Sequence, residues 1–594
     1  MVSVSRLVAN RVKSTMANDP SLSPTPGISP HVKDEPLYQT FSNFRTLTVL
    51  PVTQELPVTE FGERLGLALE AIGQSVKILN QSSALTKLGK YAFDRLAKMK
   101  QSGYFAELEE KYDIVLYLVD SIANSSWTKT CIQQGDCILL IADATASSDV
   151  GEYERLLVKT KTTARTELVL LHPERYVKPG LTNKWLKNRI WVHAFHHIQM
   201  QCNIVHTDSL KVAHQDDDLL GIERLPGLLS KSTRIIKNNL KNRVESIVAR
   251  NDLLLRLTRD SFRSKKYYQP MQVHKDDFMR LARLLTGQSI GLVLGGGGAR
   301  GISHVGIIKA LEDNGIPVDM IGGTSIGAFV GGLYAKEYDF VPMYGRVKTF
   351  AGRMGSLWRS LLDLTIPVTS YITGHVFNRG VWKAFGESRI EDFWIKYYAN
   401  STNITESLME IHTSGYAWRY IRASMSLASL LPPITDNGNM LLDGGYVDNL
   451  TVEEMKRRGA KIIVACDVGS ADDRTPMDYG DSLSGFWVLM NRFNPFSKHP
   501  NVPTMADIQM RLAYVASVNA LDRAKSTPGC LYLRPPIEDY ATLDFSKFDE
   551  IFRAGYTYGT KIGKKLKEYN EFPIIKVRKR EVLGAHPQRR RYSI

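Results

Sequence analysis

The chain has 594 residues, 43% of them apolar, and a formal net charge of +15 at neutral pH. This length and apolar fraction predict two large folding units or about three ordinary ones. Five cysteines without a C-x-x-C pair argue against a disulfide framework and favour a reducing compartment. No apolar run reaches the roughly eighteen residues that cross a bilayer, and the amino terminus lacks a signal-peptide core, so we expect no membrane-spanning segment.

The first 205 residues divide into two parts. Residues 1 to 41 are rich in Ser and Pro, as in PSLSPTPGISP, which predicts a disordered arm. From residue 42 to 205, short apolar runs alternate with helical patterns, which indicates a parallel sheet in a Rossmann-like α/β domain. No glycine phosphate loop occurs there, so we expect no nucleotide site. We interpret His196 and His197 as surface or core residues, because no carboxylate or Cys stands at metal-ligand spacing.

A basic helical connector is predicted over residues 206 to 284. Between residues 231 and 266, eleven Lys or Arg accompany three acids, and apolar residues recur at helical spacing. One interpretation is an amphipathic helix docked on a domain, with a solvated charged face. The other is contact with an anionic membrane surface, which the basic tail over residues 571 to 594 also favours. Neither stretch combines aromatic residues with a binding motif, so nucleic acid is not the predicted partner.

Residues 295 to 301 read GGGGARG directly after the apolar stretch Ile290–Leu294. Gly296, Gly298 and Gly301 have the G-x-G-x-x-G spacing of a dinucleotide site, but the acidic partner is misplaced, since Asp319 begins the next apolar run. In a hydrolase, the same consecutive backbone N–H groups hold the oxyanion of a tetrahedral acyl intermediate. Arg300 would then orient the loop or pair with an anionic group. Both interpretations stay open at this point.

A GTSIG segment, from Gly323 to Gly327, follows an apolar run over residues 318 to 322 and precedes a helical pattern. A strand, a tight turn and a helix in this order predict a nucleophile elbow, in which Ser325 occupies a strained turn. Gly323 and Gly327 would allow the strand and the helix to approach each other. The segment therefore provides a candidate serine nucleophile.

A serine hydroxyl needs a base, and two residues compete for that role. His304 lies on the helix after the glycine loop, and we interpret it as a packed or capping histidine. Asp443 is the better partner. It stands in MLLDGGYVDN and is followed by Gly444 and Gly445, although Asp-Gly-Gly is also an ordinary turn signal.

The ordered set of GGGxRG, GTSIG and DGG resembles the patatin-like phospholipases. The stretches LVLGGGGARGISHVG, IGGTSIGAF, SMSLASLLPP and LLDGGYVDN resemble the neuropathy target esterase group within that family. The resemblance covers residues 285 to 475 by motif and extends to 570 by continuity. It implies an esterase domain over residues 285 to 570 with an α/β/α sandwich and a Ser-Asp dyad. The implied site residues are the nucleophile Ser325, the base Asp443, and the oxyanion loop of Gly296, Gly297, Gly298, Arg300 and Gly301.

The same resemblance implies an activity and a location. The activity is hydrolysis of the acyl ester of lysophospholipids and of diacyl phosphatidylcholine, without metal or cofactor, and the location is the cytoplasmic face of the endoplasmic reticulum membrane. Larger members carry amino-terminal membrane helices and cyclic-nucleotide modules, which we do not find, so we expect a carboxy-terminal portion or a short form. The alternatives are a lipid-binding or scaffold protein with a decayed site, and a dinucleotide-binding protein.

Two aromatic-rich segments, residues 358 to 377 and 486 to 496, are candidates for an acyl-chain trough. They include Trp358, Tyr371, Trp487 and Phe493. Core packing explains most such residues, but an enzyme acting on a long acyl chain needs an apolar trough beside its serine. We therefore expect some of these side chains to line or cover the site.

Overall fold

The structure is a computed structural model that describes residues 44–53, 55–89, 98–160, 162–201, 273–355, 363–469, 481–493, 502 and 505–568. The predicted arm, the basic stretch over residues 231 to 266 and the basic tail lie outside these residues. Within the described part of the chain, none of the helices combines the length and apolarity needed to cross a bilayer.

The first sheet contains six parallel strands with helices between them. Its central strands are almost completely buried, as expected for a parallel sheet covered on both faces, and they therefore read as continuous apolar runs. The elements in chain order are β1 Thr46–Pro51, α1 Val58–Ala71, β2 Val76–Leu79, α2 Gln81–Leu88, α3 Lys98–Lys111, β3 Ile114–Leu118, α4 Ser126–Gln134, β4 Cys137–Asp143, α5 Glu152–Thr160, β5 Arg165–His172, α6 Leu181–Lys187 and β6 Ala194–Gln199.

This sheet has the strand order β2-β3-β1-β4-β5-β6. The predicted parallel α/β fold is confirmed, and the order exchanges β2 and β3 relative to the 3-2-1-4-5-6 order of dinucleotide-binding folds. The sequence did not indicate β6, because the pair His196 and His197 interrupts its apolar pattern. Both histidines are buried in the structure, where His196 contacts the carboxylate of Glu167 and His197 contacts His172.

Buried polar contacts join this region to the rest of the chain. The carboxylate of Asp392 accepts hydrogen bonds from the backbone N–H groups of Gly180 (2.6 Å) and Thr182 (3.0 Å). Asp277, on the fully buried helix α7 Asp277–Leu285, accepts the N–H of Gln199 at the end of β6 and the indole N–H of Trp394. Because an unpaired buried polar group is costly, these contacts hold the two sheets in one arrangement.

The second sheet has eight strands in the order β11-β12-β9-β8-β7-β13-β14, with β10 also paired to β9. Its elements in chain order are β7 Ile290–Leu294, α8 Ser303–Asp313, β8 Met320–Gly323, α9 Ile326–Glu337, α10 Phe340–Met354, α11 His375–Phe385, β9 Lys396–Asn403, β10 Leu408–His412, α12 Ala417–Ser424, β11 Ile434–Asp436, β12 Asn439–Asp443, α13 Val452–Arg457, β13 Ile462–Cys466, α14 Gly485–Phe493, α15 Met505–Ser526, β14 Cys530–Leu533 and α16 Phe548–Glu568.

The register of this sheet explains how distant sequence segments meet. Strands β7 and β8 are parallel neighbours, so the glycine run after β7 and the turn after β8 emerge at the same edge. Strand β9 pairs with both β8 and β12, placing Gly323 opposite Ala399 and Asp443 opposite Ser401. Two residues along a strand span about 6.6 Å. The carboxyl end of β12 therefore lies next to the elbow that follows β8.

Candidate active site

Ser325 occupies a strained turn between β8 and α9. Its φ is 55° and its ψ is −125°, a conformation that non-glycine residues rarely adopt. A Cβ atom at Gly327 would lie 2.1 Å from the carbonyl oxygen of Leu294, and one at Gly323 would lie 2.6 Å from the backbone of Ala328. Both positions therefore require glycine for the strand and the helix to pack closely, as an elbow demands.

Ser325 and Asp443 are separated by 118 positions in the chain and are joined by a hydrogen bond. The Ser325 hydroxyl donates to Asp443 Oδ2 over 2.7 Å, while Asp443 Oδ1 accepts the Gly445 N–H over 2.8 Å. Burial raises the pKa of the Asp443 carboxyl to about 6. This carboxylate is thus a stronger base than an exposed aspartate, and it is still largely ionised at neutral pH.

The Asp443 turn is as tight as its Asp-Gly-Gly sequence suggests. A Cβ at Gly444 would lie 2.5 Å from the side-chain oxygen of Asn400, and a Cβ at Gly445 would lie 3.1 Å from that of Asn449. Glycine at these two positions leaves room for the side chains of Asn400 and Asn449. The Gly445 N–H of the same turn donates to the Asp443 carboxylate and so helps to fix its direction.

Most of the polar backbone groups in the glycine loop already have partners. Gly295 N–H donates to the Cys466 carbonyl, Gly296 N–H donates to Asn449 Oδ1 over 3.0 Å, and Ala299 N–H donates to the Thr542 carbonyl. In the part of the chain that the structure describes, the N–H groups of Gly297 and Gly298 have no acceptor. Because buried backbone groups are normally paired, these two adjacent N–H groups stay candidates for binding an incoming oxygen atom.

Other loop residues hold this loop against the elbow. A Cβ at Gly301 would lie 2.1 Å from the side chain of Ile326, so the two segments touch directly. Arg300 is buried in the short 3₁₀ turn Gly298–Ile302. His304 is fully buried and contacts the Gly295 carbonyl through Nε2 over 2.8 Å. Burial lowers the pKa of His304 to about 4, so it is a neutral hydrogen-bond donor that packs beneath the loop.

Three polar residues near Ser325 were not singled out by sequence reasoning. Ser424 accepts the Ser325 N–H over 2.9 Å, Asn449 bonds to Gly296, and Asn400 accepts the Thr324 hydroxyl. Ser424 belongs to the SMSLASLLPP stretch and Asn449 to the DGGYVDN stretch, both of which contributed to the resemblance. No spacing rule marks these residues, because their partners are distant in the chain.

The cavity at Ser325 is small, with a volume of about 20 Å³. Ala513 and Tyr514 of helix α15 belong to its lining. The complete lining consists of Gly296, Ser325, Leu427, Asp443, Gly445, Asn449, Gly469, Ala513 and Tyr514. None of the aromatic residues expected at an acyl trough belongs to this lining. Tyr371 and Trp487 are partly exposed elsewhere, and Trp358 and the Phe493 side chain lie outside the described residues.

Under the dinucleotide interpretation, the carboxylate of Asp319 would have to bind a ribose. In the structure it has a structural role instead. Both of its carboxylate oxygens accept hydrogen bonds from Arg283, and one also accepts the Ile290 N–H. Among the residues that the structure describes, no three His, Cys, Asp or Glu side chains are grouped as metal ligands would be.

Two family models match this chain. The patatin-like phospholipase model matches residues 292–456, and the model of the Neuropathy Target Esterase family P-loop like domain matches residues 43–287. Lysophospholipase NTE1 of Kluyveromyces lactis is 63% identical over 537 residues, which are 90% of this chain and 37% of that protein. The chain belongs to the neuropathy target esterase family.

Further members of this family match the chain to a similar extent. The proteins named Lysophospholipase NTE1 from Eremothecium gossypii and Saccharomyces cerevisiae are 62% and 60% identical and match 90% of the chain. The chain spans 35% and 32% of their respective lengths. The P-loop like domain of the family corresponds here to the first sheet. In this chain, residues 52–57 after β1 contain neither glycine nor lysine.

Proposed function

We propose that this chain is a serine esterase that hydrolyses the acyl ester of lysophospholipids and of diacyl phosphatidylcholine, releasing fatty acid and glycerophosphocholine. The observation that carries this proposal is the 2.7 Å hydrogen bond from the strained Ser325 to the buried Asp443. The substrate class is supported by the patatin-like model and by relatives that carry the name lysophospholipase.

In the proposed reaction, Ser325 Oγ attacks the ester carbonyl carbon while Asp443 accepts the hydroxyl proton. The tetrahedral intermediate collapses to an acyl-serine, and Asp443 returns the proton to the departing glycerol oxygen. A water molecule then attacks the acyl-serine and gives its proton to Asp443, and this proton passes to Ser325 as the fatty acid leaves. Gly297 and Gly298 supply N–H donors to the oxyanion in both halves of the reaction.

Asp443 replaces the histidine of the more common triads in this scheme. An exposed carboxylate, with a pKa near 3.9, takes a proton poorly from a hydroxyl. Burial raises the pKa of Asp443 to about 6, which increases its basicity without protonating most of it at neutral pH. A direct hydrogen bond from Ser325 also places the proton on its transfer path.

The test is hydrolysis of lysophosphatidylcholine, diacyl phosphatidylcholine and a neutral glyceride by the purified chain. Ser325→Ala and Asp443→Asn should each lower turnover by at least about 10³-fold, because the two groups act as one unit. The control is Ser289→Ala, since Ser289 is a buried hydroxyl that bonds to the Gly459 carbonyl before β7 begins. A fluorophosphonate probe should label the parent chain and the Ser289 variant but not Ser325→Ala.

Three outcomes would contradict the proposal. Turnover retained by folded Ser325→Ala or Asp443→Asn would contradict the assignment of these two residues as the catalytic dyad. Vesicle binding with neither labelling nor hydrolysis would favour a lipid-binding or scaffold protein. Retention of a dinucleotide through purification would favour a dinucleotide-binding protein.

We also propose that the chain works on an anionic membrane surface, at the cytoplasmic face of the endoplasmic reticulum. Its net charge of +15 and the membrane location of its lipid substrates support this partner. Helix α14 supports it further, since Phe486, Leu489 and Met490 are exposed on the helix that precedes α15 in the chain, and α15 lines the cavity. Imaging a tagged chain beside a reticulum marker tests the location, and a diffuse signal would contradict it.

A further inference from the structure

Asn449 makes two hydrogen bonds to a single glycine of the loop. Its Nδ2 donates to the Gly296 carbonyl oxygen over 3.1 Å, and its Oδ1 accepts the Gly296 N–H over 3.0 Å. Only a carboxamide in this orientation satisfies both contacts, because a backbone N–H donates and a carbonyl accepts. The side chain thus pairs with the loop as a neighbouring strand would, across 153 positions of sequence.

The two bonds act on different peptide planes. The Gly296 carbonyl and the Gly297 N–H belong to the same planar unit and point in opposite directions. Holding the carbonyl oxygen on Asn449 therefore directs the Gly297 N–H to the other side. The Gly296 N–H shares its plane with the Gly295 carbonyl, which His304 contacts over 2.8 Å. Both peptide planes are therefore held, and the second of them carries the free N–H of Gly297.

A run of glycines needs such support. Glycine has more accessible backbone conformations than any other residue, so four in succession do not maintain one orientation by themselves. Larger residues cannot replace them, because a Cβ at Gly296 would lie 2.8 Å from both Ser325 Cβ and Asn449 Oδ1. Oxyanion donors must nevertheless be oriented before the reaction begins. The rigidity must therefore come from outside the loop.

Asn449 is itself well anchored. The preceding residue, Asp448, accepts the Leu450 N–H through its carboxylate, and its carbonyl accepts the side chain of Asn400. Asn449 also lies close to two other glycines, since a Cβ at Gly445 or Gly469 would fall 3.1 or 3.3 Å from its carboxamide. The turn that carries Asp443 thus also carries the residue that holds the glycine loop.

We propose that Asn449 is a positioning residue that orients the N–H group of Gly297 toward the oxyanion. This inference rests on the proposed esterase function. Asn449 does not bind the reacting atoms in this scheme. It links the base turn to the glycine loop, so that the proton acceptor and the oxyanion donors keep one relative geometry.

Asn449→Ala should lower kcat by about 10²-fold to 10³-fold, comparable to the loss of one oxyanion donor, and leave KM within about threefold. The rate of labelling by a fluorophosphonate probe should fall with kcat. The matched control is Asn314→Ala, because Asn314 is also half-buried and also donates through Nδ2 to a backbone carbonyl, that of Ala310. This control should lower the melting temperature and leave kcat unchanged.

Asn449→Asp provides a second variant of nearly unchanged volume. It keeps an acceptor for the Gly296 N–H and loses the donor to the Gly296 carbonyl, so kcat should fall as in Asn449→Ala. A new negative charge beside Asp443 should also move the acidic limb of the kcat/KM profile to higher pH. This movement shows that the new carboxylate lies near the base, and the loss of kcat at unchanged KM is the result that a purely structural role would not produce.

Different results overturn the two proposals. A kcat within threefold of the parent in Asn449→Ala and Asn449→Asp, with Ser325→Ala inactive, would overturn the positioning role and leave the esterase proposal intact. Equal losses of kcat in Asn449→Ala and Asn314→Ala would also overturn it. Turnover retained by Ser325→Ala would instead overturn the esterase proposal.

Discussion

Ionisation of a buried carboxyl group costs free energy, and the Asp443 carboxyl is such a group. Its carboxylate receives hydrogen bonds only from Ser325 and Gly445 within the described structure. Burial raises the pKa of Asp443 to about 6, whereas an unfolded aspartate has a pKa near 3.9. Between these two pH values, the folded chain binds more protons than the unfolded chain.

The sign of the effect on stability follows from this difference in proton binding. The contribution of Asp443 to stability is complete below about pH 4 and is lost as pH rises through about 6. A shift of this size corresponds to roughly 3 kcal/mol as an upper limit. Asp443→Asn removes the ionisation and still offers Ser325 and Gly445 a hydrogen-bond partner each. We therefore expect this variant to unfold at a higher temperature than the parent at pH 8.

Thermal unfolding of both proteins at pH 4 and at pH 8 checks this prediction. The difference in melting temperature should shrink strongly at pH 4, where Asp443 is protonated in the folded state and about half protonated in the unfolded state. A lower melting temperature for Asp443→Asn at pH 8 would contradict it. Activity lost together with a gain in stability would indicate that the carboxylate is kept for its chemistry.

Close packing of β7 against α9 depends on one glycine. A Cβ at Gly327 would lie 2.1 Å from the Leu294 carbonyl oxygen, and backbone cannot move aside as a flexible side chain can. We expect Gly327→Ala to lower the free energy of unfolding by about 1–3 kcal/mol, or more, and to reduce labelling of Ser325. Denaturant unfolding and probe labelling measure the two effects.

The control for that prediction is Gly345→Ala in the interior of α10. No atom lies within 4 Å of a Cβ at this position. Alanine should therefore stabilise the helix by about 0.5–1 kcal/mol. Equal effects of the two substitutions would show that helix propensity, rather than the close approach to Leu294, determines the result.

The sequence predicts the elements around Ser325 well, because their signals are local. The run Ile290–Leu294 matches β7, and the GTSIG turn lies between a strand and a helix as expected. Strand order is not a local property, so the position of β3 between β2 and β1 could not be predicted. The contact between Asn449 and Gly296 joins residues 153 positions apart and leaves no periodic signal. Likewise, no motif indicates that Ala513 and Tyr514 line the cavity.

At the level of the whole molecule, helix α14 is an exposed apolar helix that precedes α15 in the chain. It presents Phe486, which is 75% exposed, together with Leu489 and Met490. Apolar helices usually bury at least one face, and clustered exposed apolar groups commonly mark a contact surface. We therefore expect simultaneous replacement of these three residues by Ser to weaken binding to vesicles of phosphatidylcholine and phosphatidylserine.

Flotation of the chain with such vesicles measures this binding. A control variant replaces Ile190 and Val341 by Ser, since these side chains are 92% and 72% exposed and belong to other elements. Hydrolysis of a short water-soluble ester should be unchanged in both variants, because neither set lines the cavity. Vesicle binding reduced equally in both variants, or in neither, would contradict a specific role for α14.

The narrow space at Ser325, which Ala513 and Tyr514 of α15 help to line, has a consequence for the access of a lipid substrate. A space of about 20 Å³ accommodates little more than one water molecule, whereas a fatty acyl chain is many times larger. Ser325 itself is only partly buried, so small molecules can reach it without a change in the fold. We expect a long acyl chain, by contrast, to be accepted only after side chains of this lining change position.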